Sequence, residues 1–90
     1  MANKDHVEIV KRGMAVWNDW RLNNASVIPD LSGANLSGMD LSKGNFREAN
    51  LGNANLANAN LTDADFTKAN LTGTNIGGAT GLTWQGFAER

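Results

Sequence analysis

Asparagines recur at multiples of five residues along most of this chain, and they are its first candidates for chemistry. They could form an outward row that binds a polar ligand. The interpretation we favour is structural, because asparagine side chains bond to neighbouring main chain and to one another in stacked chains. The residues concerned are Asn35, Asn45, Asn50, Asn55, Asn60, Asn70 and Asn75.

One pair of carboxylates is close enough in sequence to suggest acid–base catalysis or cation binding. Asp63 and Asp65 flank Ala64, and two carboxylates can share such a task. No further ligand or nucleophile lies beside them, so solvated surface residues are the favoured interpretation. The serines and threonines near the asparagines have the same structural reading, since hydroxyls satisfy turn amides.

Composition leaves little for catalysis. The chain has no cysteine, no tyrosine and one histidine, His6, which we expect to be exposed to solvent near the start of a helix. Nucleophile, base and zinc-binding arrangements are therefore hard to assemble. We expect a protein that is not an enzyme, with no catalytic residues, no cofactor and no metal site.

The net charge does not indicate a particular class of binding partner. The formal charge is −1, which provides no basic field for nucleic acid or an anionic membrane. No apolar run approaches the roughly 18 residues of a membrane-spanning helix, and the N-terminus resembles no secretory signal. We expect a cytoplasmic location, no nucleic-acid or membrane partner, and at most an unidentified protein partner.

An apolar residue occupies every fifth position from residue 31 to residue 76. It closes a triplet that alternates apolar, polar, apolar, the pattern of a half-buried extended segment, and two turn-forming residues follow. Such a triplet can bury its inward residues only against another coil of the same chain, so the pattern predicts a β-solenoid. We call these apolar residues the repeat centres, because they point to the core of each repeat: Leu31, Leu36, Leu41, Phe46, Leu51, Leu56, Leu61, Phe66, Leu71 and Ile76.

The aromatic centres suggest the length of one coil. Phe46 and Phe66 are twenty residues apart, so four pentapeptides per coil would place both rings in one inward column. Gly44 would then leave room for the neighbouring ring. Met39 replaces the usual alanine and should fill space near an end of the stack.

The segment before the repeat reads as one amphipathic helix from Asp5 to about Asn23. Asp5 and Glu8 resemble a capping box, and Gly13 lies at the edge of the apolar arc. Pro29 forces the chain to become extended. We expect residues 1–28 to cover the first coil, residues 29–81 to form the solenoid and residues 82–90 to cover its other end, all in one structural domain. The expected covering or interface side chains are Val10, Met14, Trp17, Trp20, Leu82, Trp84 and Phe87.

The tandem Ala-Asn/Asp-Leu-x-x unit resembles the pentapeptide-repeat family over Pro29 to about Gly81. The resemblance implies a right-handed quadrilateral parallel β-helix of about 2.5 coils, and many bacterial, especially cyanobacterial, members carry a preceding helix similar to the one here. Met39, Gly44 and Thr74 depart from alanine. Most members have no assigned biochemical activity.

Two non-catalytic functions are compatible with these features. The first is a non-catalytic structural or protein-interaction module. The alternative is a DNA mimic that inhibits or protects a type II topoisomerase, which requires a long acidic rod because duplex DNA carries one charge per about 1.7 Å. The repeat carries five acidic and three basic side chains, so the first function is favoured. A monomer is expected, with a dimer through the C-terminal face as the alternative.

Overall fold

Two short helices precede a solenoid in the computed structural model, which describes residues 2–82. Helix α1 spans Lys4–Lys11 and helix α2 spans Met14–Asn23. From residue 30 onward the main chain forms isolated parallel bridges rather than continuous strands. Neither helix in this part of the chain has the length and apolar character needed to cross a bilayer.

The expectation of one helix from Asp5 to about Asn23 was wrong, because the helix is interrupted at Gly13. Gly13 has a φ of 102° and serves as the N-cap of α2 without a side-chain bond. Glycine adopts this conformation readily because it lacks a Cβ. The break lets two separate helices lie against different parts of the first coil.

The capping box was also wrong. The N-cap of α1 is Asn3, whose Oδ1 accepts hydrogen bonds from the N–H groups of Asp5 at 2.9 Å and His6 at 3.3 Å. An asparagine side chain satisfies the otherwise unpaired amides of a first helical turn in this way. The helix therefore begins one residue earlier than the sequence suggested.

The repeat winds as a β-solenoid in which bridged residues are twenty positions apart. Asp30 pairs with Asn50, and Asn50 pairs with Asn70. Phe46 and Phe66 stack with ring centroids 5.4 Å apart and an interplanar angle of 10°. We refer to residues 29–48 as the first coil. Thr80, beyond the clear repeat, still pairs with Asn60.

Every corner of the solenoid is a tight turn. At the first corner the N–H of Ala34 donates to the carbonyl of Leu31 at 3.1 Å, and Gly33 has a φ of 69°. A positive φ at the third position is the mark of a type II turn. Side chains other than glycine adopt the same conformation, with φ between 59° and 62°, at Lys43, Glu48, Asn53, Asn58, Asp63 and Lys68.

The core is the inside of the solenoid. The centres from Leu31 to Phe66 are at most 2% exposed, and alanines such as Ala49 and Ala59 are fully buried beside them. Gly44 makes room for two neighbours, because a Cβ there would collide with the ring of Phe46 and would lie 2.6 Å from the sulfur of Met14. Met39 is partly buried against this core.

Candidate functional site

The aspartates and asparagines in the middle of the triplets hold the corners of the solenoid. The Oδ1 atom of each accepts a hydrogen bond from the main-chain N–H two residues later, at 2.9–3.1 Å. This is the Asx-turn geometry, in which a side chain imitates a main-chain turn. The acceptors are Asp30, Asn35, Asp40, Asn45, Asn50, Asn55, Asn60, Asp65, Asn70 and Asn75.

Hydroxyl groups at five corners donate to the same Oδ1 atoms at 2.6–2.7 Å. The hydroxyl of Ser42 and then its N–H lower the pKa of Asp40, because both bonds favour the charged carboxylate. Ser32 lowers the pKa of Asp30 in the same way. The five hydroxyls belong to Ser32, Ser37, Ser42, Thr62 and Thr67.

Asp63 and Asp65 do not form a paired-carboxylate site. Asp63 is an exposed corner residue with a φ of 59°, whereas Asp65 accepts bonds from Thr67 and forms a 3.2 Å ion pair with Arg47. Burial raises the pKa of Asp65, but the bonds from Thr67 and Arg47 outweigh it and the net shift is downward. Within residues 2–82 no three acidic or histidine side chains gather as metal ligands would.

The N-terminal edge of the solenoid consists of main-chain groups that would bond to a preceding coil. In the second coil, Asn50 shows the usual pairing: its N–H donates to the carbonyl of Pro29 at 2.9 Å, and its carbonyl accepts from Leu31 at 2.8 Å. In the first coil the equivalent groups are those of Asp30, Asn35, Asp40 and Asn45. No preceding coil exists within the described residues to pair with them.

Helix α1 supplies the missing partners for Asp30. The carbonyl of Asp30 accepts from the N–H of Asn3 at 3.0 Å, and its N–H donates to Nδ1 of His6 at 3.0 Å. His6 is only 9% exposed, and its ring lies 4.9 Å from that of Trp20. The prediction of a solvent-exposed His6 was therefore wrong, because the edge of the solenoid needs an acceptor at this point.

Helix α2 supplies both partners for the main chain of Asn45. The carbonyl of Asn45 accepts from Nε1 of Trp17 at 2.8 Å, and the N–H of Asn45 donates to Oδ1 of Asn18 at 2.8 Å. Nδ2 of Asn18 also donates to the carbonyl of Lys43 at 2.9 Å. The sequence does not reveal this role of Asn18, since nothing in the helical periodicity marks a polar residue as a partner of a distant strand.

Aromatic rings continue the core into the helices. Trp17 is fully buried and stacks on Phe46 with centroids 5.4 Å apart, and Trp20 stacks on Trp17 at 5.2 Å. Val10 is also fully buried, while Met14 and Trp20 are partly buried. Four aromatic side chains therefore lie in one file from α2 to Phe66 of the second coil.

Arg21 adds a contact at the end of α2. Its Nη2 donates to the carbonyl of Arg47 at 2.7 Å, while its buried Nη1 has no hydrogen-bond partner among the described residues. Burial lowers the pKa of Arg21 from its ordinary value, an effect that the nearby carboxylate of Glu48 opposes. This guanidinium therefore serves packing and main-chain bonding at the corner.

Apolar side chains at the C-terminal end of the described solenoid are more exposed than those at the N-terminal end, which α1 and α2 cover. Leu71 is partly buried, Ile76 is 41% exposed and Leu82 is 38% exposed. Two of the expected covering residues, Trp84 and Phe87, lie outside the described residues.

A shallow groove of about 470 Å³ runs between α1 and the first corner. Its walls come from one side of α1 and from the Ser32–Gly33 corner, which leads directly into the triplet centred on Asn35. The lining residues are Ala2, Lys4, Val7, Glu8, Lys11, Ser32 and Gly33.

Known proteins similar to this chain include a family of repeats and solved structures. The family model for Pentapeptide repeats matches residues 30–51 and 45–80, with eight copies. The crystal structure of a pentapeptide repeat protein, Rfr23, from the cyanobacterium Cyanothece 51142 is similar, with 46% identity and a TM-score of 0.55. The match covers 56% of this chain and 34% of that one, so it spans about a third of that protein's length. No curated protein matches.

Proposed function

This chain belongs to the pentapeptide-repeat family, and on that premise we propose that it is a non-catalytic module that serves protein interaction or structure. One observation carries the proposal. The polar side chains that recur through the repeat, which would be the obvious material for an active site, have their Oδ1 atoms engaged in holding the corners. A filled core and bonded corners make a rigid body whose flat faces display the remaining polar groups.

The finer architecture belongs to the same proposal. The solenoid is a right-handed quadrilateral β-helix of about 2.5 coils. The paired bonds from α1 and α2 to Asp30 and Asn45 support a capping role for residues 1–28. In this proposal residues 82–90 cover the other end, where Ile76 is 41% exposed within the described residues. An uncovered solenoid end favours aggregation, which is the physical reason for two caps.

Charged corners are the surface on which the interaction can be tested. Lys43, Glu48 and Lys68 are exposed and have positive φ, as do Asn53 and Asn58 at equivalent corners. Asparagine tolerates this conformation better than lysine or glutamate does. Replacing these three residues by asparagine therefore removes surface charge without disturbing the fold. Asp63, the fourth charged residue with positive φ, is left unchanged.

The experiment is affinity capture from native cells with the whole chain, followed by mass spectrometry. A protein captured by the wild-type chain and lost by Lys43→Asn/Glu48→Asn/Lys68→Asn supports an interaction through the corners. Lys68→Asn alone is the matched control for a single lost charge. Capture of nothing above background by a folded wild-type chain would contradict the interaction function.

The DNA-mimic alternative is not proposed. The repeat carries five acidic and three basic side chains, and one of the acidic residues, Asp65, is paired with Arg47. The remaining field is weak for a surface that must imitate the dense charge of duplex DNA.

A further inference from the structure

The N-terminal edge of the solenoid is only half covered. Asp30 and Asn45 have partners in the helices, each with one donor and one acceptor. Within residues 2–82, the main-chain N–H and carbonyl of Asn35 and of Asp40 have no protein partner, and both residues are exposed. Unpaired edge groups of this kind are a template for another extended chain.

The groove beside α1 is lined in part by Ser32 and Gly33, the corner that immediately precedes the triplet of Asn35, one of these two open positions. Lys4, Val7, Glu8 and Lys11 follow helical spacing on one side of α1 and face the corner that precedes Asn35. The groove surface is mainly apolar, and its two lysines and one glutamate leave a net charge of +1. An edge that needs a donor and an acceptor therefore adjoins an apolar channel with an excess of positive charge.

We infer that the Asn35 edge and the adjoining groove bind an extended acidic segment of a partner protein, which adds a strand to the first coil. This inference rests on the proposed interaction function and names the class of partner. The molecule already shows the pairing: residues flanking Asp30 bond to the N–H and carbonyl of Asn50. A residue of the partner segment takes the same place relative to Asn35, so strand addition supplies the missing bonds.

Space and charge favour this occupant. An added strand needs only about 4.8 Å beside the edge, whereas a helix needs about 10 Å, and α1 already stands at that side of the groove. Acidic side chains of the segment then face Lys4 and Lys11, and apolar ones face Ala2 and Val7. The Asp40 edge is less suitable for an acidic segment, because its own carboxylate is exposed.

The test uses blocked seven-residue peptides added to the isotope-labelled whole chain. One peptide alternates valine with aspartate or glutamate, and a second replaces the acidic residues with lysine. A third carries a proline directly after the central residue, at the place that Leu31 takes beside Asn50, and so lacks the N–H that would donate to the carbonyl of Asn35. NMR titration should show the Asn35 amide shifting with the acidic peptide and becoming protected from hydrogen exchange. The Asn55 amide, already bonded to the carbonyl of Ala34, is protected before and after.

Charge variants test whether the peptide binds in the groove. Lys4→Gln/Lys11→Gln, which lowers the net charge by two units, should weaken binding of the acidic peptide by about tenfold or more. Asn53→Asp/Asn58→Asp lowers the net charge by the same two units and is the matched control. It should leave binding unchanged, because both residues are exposed corners of the second coil, away from the groove, and Asp63 already occupies the next such corner.

Three results would overturn the inference: equal binding of the lysine peptide, chemical-shift changes that do not include the Asn35 amide, or no binding of the acidic peptide up to about 1 mM. Its failure differs from failure of the proposed function. If the cellular capture succeeds through the charged corners while the peptides do not bind, the interaction function stands and the Asn35 edge is not its site.

Discussion

A single oxygen atom in each mid-triplet side chain fixes the direction of the chain at the following corner. Asparagine and aspartate are interchangeable for this bond, as Asn35 and Asp40 show with equal distances of 3.1 Å to the next corner. The main-chain strain at the corner is a separate matter. It is absorbed by glycine at some corners and by larger residues, such as Lys43, at others.

Gly38 and Gly77 test the strain at the corners. Gly38 has a φ of 70° and open space around its missing Cβ, so Gly38→Ala should cost about 1 kcal/mol through main-chain conformation alone. Gly77 has no such φ, and Ala57 occupies its position one coil earlier, so Gly77→Ala should be nearly neutral. Urea unfolding measures both. Equal losses in the two variants would show that the left-handed corner is not strained.

Asp40 makes the fold sensitive to acid. The hydroxyl and then the N–H of Ser42 lower its folded-state pKa, so the carboxylate stabilises the fold above the usual aspartate range near about pH 4. This stabilisation is lost as the pH falls through the folded-state pKa. Asp40→Asn keeps the corner bond, as at Asn35, and should flatten the decline in unfolding free energy below about pH 4. Identical pH profiles for the two proteins would contradict this.

At the scale of the elements, the two helices replace part of a coil. Each helix brings one donor and one acceptor to one edge position: Asn3 and His6 at Asp30, Trp17 and Asn18 at Asn45. This pairing satisfies main-chain groups that would otherwise be buried without partners under a helix. The interruption at residue 13 separates the helix that bonds to Asp30 from the helix that bonds to Asn45.

Trp17 combines a hydrogen bond with ring stacking, and the two can be separated. Trp17→Phe removes the donor to the carbonyl of Asn45 and should cost about 1–3 kcal/mol. Trp17→Ala also removes the contact with Phe46 and should cost about 3–5 kcal/mol. Leu22→Ala, at a residue 78% exposed on the same helix, is the control and should change stability by less than about 0.5 kcal/mol. Thermal unfolding followed by circular dichroism measures all three, and equal losses for Trp17→Phe and Trp17→Ala would argue against a contribution from stacking.

At the scale of the whole molecule, the two ends differ. The described chain extends over 30 × 23 × 21 Å, so much of its apolar interior lies close to one end or the other. The N-terminal end is closed at two of four edge positions by bonded helices. The C-terminal end leaves Ile76 and Leu82 partly exposed within the described residues.

The mass of the protein in solution tests how that C-terminal end is covered. If residues 82–90 cover it, light scattering should give a monomer mass that does not change with concentration. A mass that rises toward twice the monomer would instead indicate a dimer through this face. Ile76→Lys should then restore the monomer, whereas Lys43→Asn, on the first coil, should not.

The sequence by itself determined the solenoid and most of its core. The predicted centres from Leu31 to Phe66 are buried, whereas the prediction that Ile76 lies in the core was wrong for the described residues, where it is 41% exposed at the end of the stack. A five-residue repeat of Ala-Asn-Leu cannot bury its apolar residues within one triplet, so stacking follows from local chemistry. The twenty-residue register was also readable, because two aromatic residues must share a column to stack. The Asx bonds also follow from the sequence, because they are local and join residues only two positions apart.

Only the tertiary structure decided how the ends of the coil are satisfied. His6 and Asn18 act on main-chain groups 24 and 27 residues away, and no periodicity in a helix identifies an acceptor for a distant strand. The break at Gly13 was also not readable from the sequence, because the helical periodicity continues across it and predicts one helix. The open groups at Asn35 became visible for the same physical reason: which main-chain bonds remain unmade depends on where the helices come to rest.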